Sequence, residues 1–85
     1  MAVVRLPSIL AREAGGQKLF ETEAKTLADA LRGLPIADLI FDGPVLRRLV
    51  NVYVDGQDAR DDLDVPLARD AEITVVAAVA GGSST

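Results

Sequence analysis

The chain has no cysteine and no histidine. The first absence excludes disulfides, thiolate metal sites and a cysteine nucleophile, and it suits a reducing compartment, so a cytoplasmic setting is expected. The second removes Ser-His and Cys-His catalysis and most zinc sites. A self-contained hydrolase or metalloenzyme ranks last among the readings, and no catalytic residue or bound metal is expected. Basic residues are the minority, 9 Lys and Arg against 13 Asp and Glu, for a net charge of −4. That balance disfavours nucleic acid, whose binding begins with a basic surface. It suits a protein partner with a basic docking face, although solubility alone accounts for it equally well. Long apolar runs are also missing. None approaches the roughly 20 residues of a membrane span. The first seven residues lack a basic region followed by a long apolar one, so neither a signal peptide nor a membrane partner is expected.

What is present is enough for one small fold. The 85 residues are 49% hydrophobic, which argues against disorder, and a single domain of this length buries only about 60–65% of its unfolded surface. Residues 2–6 are apolar, rich in valine and stopped by Pro7, which predicts a strand. Residues 7–16 read as a connection turning at Gly15 and Gly16, with Ile9 and Leu10 capping the sheet edge rather than lining a pocket. Residues 17–22 predict a second strand, antiparallel to the first. Thr26 with Asp29 resembles a capping box, and Leu27, Ala30, Leu31 and Leu34 follow at helical spacing, so a helix covers the sheet. Gly33 and Pro35 end it. Residues 36–41 read as a helical turn that tucks Ile36, Leu39 and Ile40 under the sheet, and Asp42, Gly43 and Pro44 form a loop.

Val50, Val52 and Val54 alternate with Asn51 and Tyr53, which predicts a strand over 49–54. Asp55 and Gly56 make a hairpin turn into a short return strand over 57–60. Leu63 and Leu67 plug the core from a connecting turn, and residues 73–79 form the last strand. Two strands, a helix and further strands predict an α+β roll with a mixed sheet of four to five strands. The right-handed crossover rule puts the last strand in the middle, parallel to the first. This is the β-grasp arrangement, expected over residues 1–80, with 81–85 as a tail.

That last strand thins as it ends. Ile73, Val75, Val76 and Val79 favour the extended state, then alanines lead to Gly81 and Gly82. A chain without Cβ atoms threads narrow channels, so such a tail can carry a carboxylate into a partner's active site. Glycine and serine near a terminus are also what a frayed end contains, and the residues alone leave both readings open.

Three segments carry a resemblance over residues 3–82. The first is Leu6, Pro7, Ser8, Ile9 and Leu10 with Gly15, Gly16, Gln17 and Lys18. The second runs over 49–60. The third runs over 70–75 and on through Ala78, Val79, Ala80, Gly81 and Gly82. With them the chain resembles the ubiquitin-like sulfur carriers of the MoaD/ThiS family, most of all the branch serving cysteine biosynthesis. The resemblance implies that an E1-like adenylyltransferase/sulfurtransferase joins the Gly82 carboxylate to AMP from ATP. A sulfur donor then converts the adenylate to a thiocarboxylate, and a sulfur-accepting biosynthetic enzyme takes the sulfur. Val79, Ala80 and Gly81 would thread the partner's active site. The carrier itself binds no cofactor.

Two features depart from the family's pattern. Ser83, Ser84 and Thr85 follow Gly82, which then holds a peptide bond and no free carboxylate. The resemblance implies removal by a zinc protease of the JAMM type between Gly82 and Ser83. Val76 and Ala77 stand where relatives often have Leu-Pro. The alternatives are the small subunit of molybdopterin synthase, a protein modifier conjugated through Gly82, and an interaction module without covalent chemistry. Asp61, Asp62 and Asp64 lack calcium-loop spacing and read as solvated surface. Arg47 and Arg48 read as surface charges able to pair with a partner's acidic groups, and Tyr53 with the exposed side of Val75 as an apolar docking patch.

Overall fold

The computed structural model describes residues 1–77. Seven strands and three short helices follow one another as β1 (Ala2–Arg5), α1 (Ser8–Glu13), β2 (Leu19–Thr22), α2 (Leu27–Arg32), α3 (Ala37–Ile40), β3 (Phe41–Asp42), β4 (Val45–Leu46), β5 (Val50–Val54), β6 (Gln57–Asp58) and β7 (Glu72–Ala77). Five strands form a mixed sheet in the order β2-β1-β7-β5-β6. β7 lies parallel to β1, with Val4 opposite Ile73, and antiparallel to β5, with Val52 opposite Val75. The central position of the last strand, expected from the crossover rule, is the one observed, and the fold is a β-grasp.

Alternation decides which side of the sheet is wet. Val4, Val50, Val52, Ile73 and Val75 are buried on one face, against Leu27, Ala30, Leu31 and Leu34 of the α2 region. Completely burying an aliphatic side chain of this size contributes about 1.5–3 kcal/mol. Thr26 Oγ1 accepts a hydrogen bond from the Asp29 amide at 3.3 Å, as the cap reading expected. Two further amides at this helix start, those of Leu27 and Ala28, donate to the carbonyls of Val65 and Leu63 at 3.1 and 2.8 Å. The 59–71 loop is thereby tied to α2, and Leu63 and Leu67 pack on the core from it. The type of turn at Asp55 and Gly56 follows from their φ values of 51° and 88°, a left-handed pair that closes the β5–β6 hairpin in two residues.

Four expectations are corrected. Residues 7–16 are not simply a connection, because Ser8–Glu13 is helical. The Pro7 carbonyl accepts from the amides of Leu10 and Ala11, and Gly15 and Gly16, at φ 78° and 91°, reverse the chain after it. Leu10 is a core residue and does not cap the sheet edge, while Ile9 is exposed, and contrary to expectation both line a groove. Leu39 is not under the sheet: it is 42% exposed, because α3 is a single turn with Ile36 and Ile40 on its inner side. Asp42–Pro44 is not an open loop but the tip of a β3–β4 hairpin, with Gly43 at φ 68°. Arg32 secures that hairpin by stacking 4.0 Å over the Phe41 ring and donating to the Gly43 carbonyl at 3.0 Å.

Candidate functional site: the exit of the last strand

β7 is paired with β1 from Glu72 to Thr74 and with β5 from Ile73 to Ala77, which stands opposite Val50. Chain leaving Ala77 therefore starts from a strand fixed in the centre of the sheet. Val79, Ala80, Gly81, Gly82 and Ser83, the residues singled out for chemistry, lie outside the described residues. What the structure gives is the surface from which they depart.

That surface has two parts. On the open face of the sheet, Thr74 and Val76 alternate with the buried Ile73 and Val75. Val75 is 1% exposed and cannot belong to a docking patch; its neighbour Val76, at 42%, can. Register puts Val76 opposite Asn51, and Tyr53 opposite Thr74. The Asn51 amide nitrogen donates to Tyr53 Oη and to Asp58 Oδ2, both at 3.3 Å, and the Arg60 amide donates to Asp58 Oδ1 at 3.0 Å. These donors hold the Asp58 carboxyl below the usual aspartate range, the Arg60 amide first and Asn51 second.

The second part is a groove of about 410 Å³ beside the end of β7, lined among others by Ile9 of α1, Leu39 of α3, Arg47, Arg48, Leu49 and Ala77. Its rim, the 46–50 segment, is organised by a residue that the sequence did not single out. The Arg60 guanidinium donates to the carbonyls of Arg47 (2.9 Å), Leu46 (3.4 Å) and Val50. Arg47 in turn donates to the Asp38 carbonyl at 3.0 Å, joining the rim to α3. Among the described residues no three His, Cys, Asp or Glu side chains converge on a possible metal position, and Asp61, Asp62 and Asp64 are exposed. No described helix is long and apolar enough to cross a membrane.

A β-grasp body with its last strand central in the sheet has the ubiquitin-like arrangement. The ThiS family model matches residues 4–82. Sulfur carrier protein CysO of Mycobacterium tuberculosis is 33% identical over 93% of this chain and 96% of its own length. A chain in the crystal structure of the Amycolatopsis orientalis BexX/CysO complex superposes with a TM-score of 0.82 at 29% identity, covering 96% of this chain and all of that one. The small archaeal modifier protein 1 of Methanosarcina acetivorans shares the fold, with a TM-score of 0.77 at 24% identity over 95% of each chain. The chain belongs to the ThiS family and is a sulfur carrier of the CysO type.

Proposed function

We propose that the chain carries sulfur for cysteine biosynthesis as a thiocarboxylate on Gly82, acting as a protein co-substrate and not as an enzyme. The observation that supports this reading is where the family match stops: it runs to residue 82, the second glycine, and not into the three residues after it. A carboxylate is a poor electrophile. Joining it to AMP, with loss of pyrophosphate from ATP, supplies a leaving group. A sulfide-level donor then attacks the acyl carbon and displaces AMP, leaving C-terminal COS⁻. An E1-like enzyme performs the activation and a biosynthetic enzyme accepts the sulfur, so ATP is bound by a partner and not by the carrier. None of these steps needs a histidine or cysteine from the carrier, which has neither.

In this reading Ser83, Ser84 and Thr85 make the 85-residue chain a precursor, and a zinc protease of the JAMM type cleaves after Gly82. Intact mass spectrometry tests both steps. Incubation with extract of the native cells, ATP and sulfide yields a chain ending at Gly82 with one oxygen replaced by sulfur. Trimming without that replacement, together with conjugates to lysines of other proteins, would point to a modifier instead. An unchanged 85-residue chain, beside an equally inert synthetic chain ending at Gly82, overturns the carrier chemistry.

A further inference from the structure

We infer that the groove beside the end of β7 is a docking site for an acidic, apolar-anchored segment of a protein partner. The inference rests on the carrier reading for its purpose but not for its geometry. The groove's exposed apolar side chains come from three separate elements: Ile9 at 41%, Leu39 at 42% and Leu49 at 51% exposure. Seven large hydrophobic side chains in the described residues are this exposed, and three of them meet here. Scattered singly they would need no explanation, but gathered round one concavity they form a place for a partner's apolar anchor.

The charge at this place identifies the occupant. The whole chain is at −4, yet the groove is lined by Arg47 and Arg48 and by no carboxylate. Among the described residues the only ion pair is Arg5 with Glu72, so neither groove arginine is neutralised by a neighbouring carboxylate. Arg47 spends one donor on the Asp38 carbonyl, which fixes its position and leaves its charge. Arg48 is exposed. The net charge by itself suggested a basic partner surface, but the sign reverses where the chain leaves the sheet. An acidic segment gains from both arginines, and a guanidinium pairs with a carboxylate through two parallel hydrogen bonds. A second copy of the chain is a poor occupant, because copies at −4 repel.

The groove also has the rigidity that recognition requires. Arg60 holds the 46–50 rim through three carbonyls, Arg47 ties it to α3, and Ala77 forms one wall as the last described residue of β7. A partner seated here sits immediately beside Ala77.

The test is a nuclear magnetic resonance titration of the 15N-labelled, full 85-residue chain with two synthetic peptides. One carries two leucines flanked by pairs of glutamates, the other the same leucines flanked by pairs of lysines. The acidic peptide is expected to shift the amide signals of Ile9, Leu39, Leu49 and Ala77, and the lysine peptide to leave them in place. Arg48→Glu weakens binding about tenfold, and 0.5 M salt weakens it severalfold. Leu49→Asp abolishes it, with spectral dispersion confirming that both variants fold. Equal binding of the two peptides, shifts confined to Tyr53 and Val76 on the open sheet face, no shift at millimolar peptide, or a concentration-dependent dimer burying the groove each overturns the inference. The titration uses neither ATP nor Gly82, so its failure leaves the thiocarboxylate result standing, and the reverse.

Discussion

Arg60 does more for the region of the tail exit than any other single side chain described. Its guanidinium gathers carbonyls from residues 46, 47 and 50, and no sequence rule points to such a role. The contacts are all to backbone 10 to 14 residues earlier, so neither partner identity nor local spacing marks them. Removing a donor that satisfies partly buried carbonyls costs about 1–3 kcal/mol. Arg60→Ala is accordingly expected to lower the unfolding free energy from urea denaturation by that amount and to speed amide exchange in the 46–50 segment, while Arg60→Lys recovers only part of both. Asp58 gives a prediction with a sign. Its carboxyl is held below the usual range in the folded chain, by the Arg60 amide and then by Asn51. The stabilisation is therefore complete above the unfolded-state pKa and is lost as pH falls through the lower folded one. Asp58→Asn should flatten the acid limb of the stability curve below about pH 4, where an unperturbed aspartate titrates, and leave its shape at neutral pH unchanged, as measured by chemical denaturation across pH.

At the scale of elements, β7 shows how much a period of two can tell. Its extended state was readable, and so was its place in the sheet, but its alternation was not read, and the docking patch was given Val75 as the outward residue when Val76 holds that position. One residue of register separates the two. Val75→Asp puts a charge into the buried face and should unfold the domain, a loss of about 3 kcal/mol or more, whereas Val76→Asp should keep the circular dichroism spectrum and midpoint nearly unchanged. α2 was legible because its stripe and cap agree, and Thr26→Ala is expected to cost about 1 kcal/mol in the same denaturation assay. α1 and the β3–β4 hairpin were not. α1 has six residues and no side-chain cap, and its stability comes from burying Leu10 and Ala11. The hairpin strands have two residues each, too few for any alternation, and depend on Arg32 over Phe41 for their position. Short elements of this kind are set by tertiary packing, which a local pattern does not contain.

For the whole molecule, the fold class was the most legible feature. The central place of the last strand, parallel to the first, followed from the sequence of elements and a handedness rule, and the observed order agrees. Charge was legible as a sum and misleading as a map, because −4 describes the body and not the groove where β7 ends. The tail carries the chemistry proposed for the chain, and there the sequence speaks alone: the residues left a frayed end and a functional one equally open, and the resemblance over residues 3–82 is what singles out Gly81 and Gly82. The precursor reading gives a prediction at this scale. In a reconstituted system of activating enzyme, ATP and sulfide, chain ending at Gly82 should form thiocarboxylate, and the 85-residue chain should form none until a protease is added. Equal rates for the two would remove the processing step from the scheme.

The placement of β7 between a parallel and an antiparallel neighbour also has a mechanical meaning. A partner that grips the tail and pulls while the body is held draws β7 along its own axis. Hydrogen bonds to β1, over Glu72–Thr74, and to β5, over Ile73–Ala77, lie across that axis, so both ladders resist in shear. An edge strand peeled from its neighbour would yield one bond at a time. In the proposed scheme the central position makes the domain an anchor, so that a partner drawing the end of the chain into a narrow channel would not draw the carrier apart.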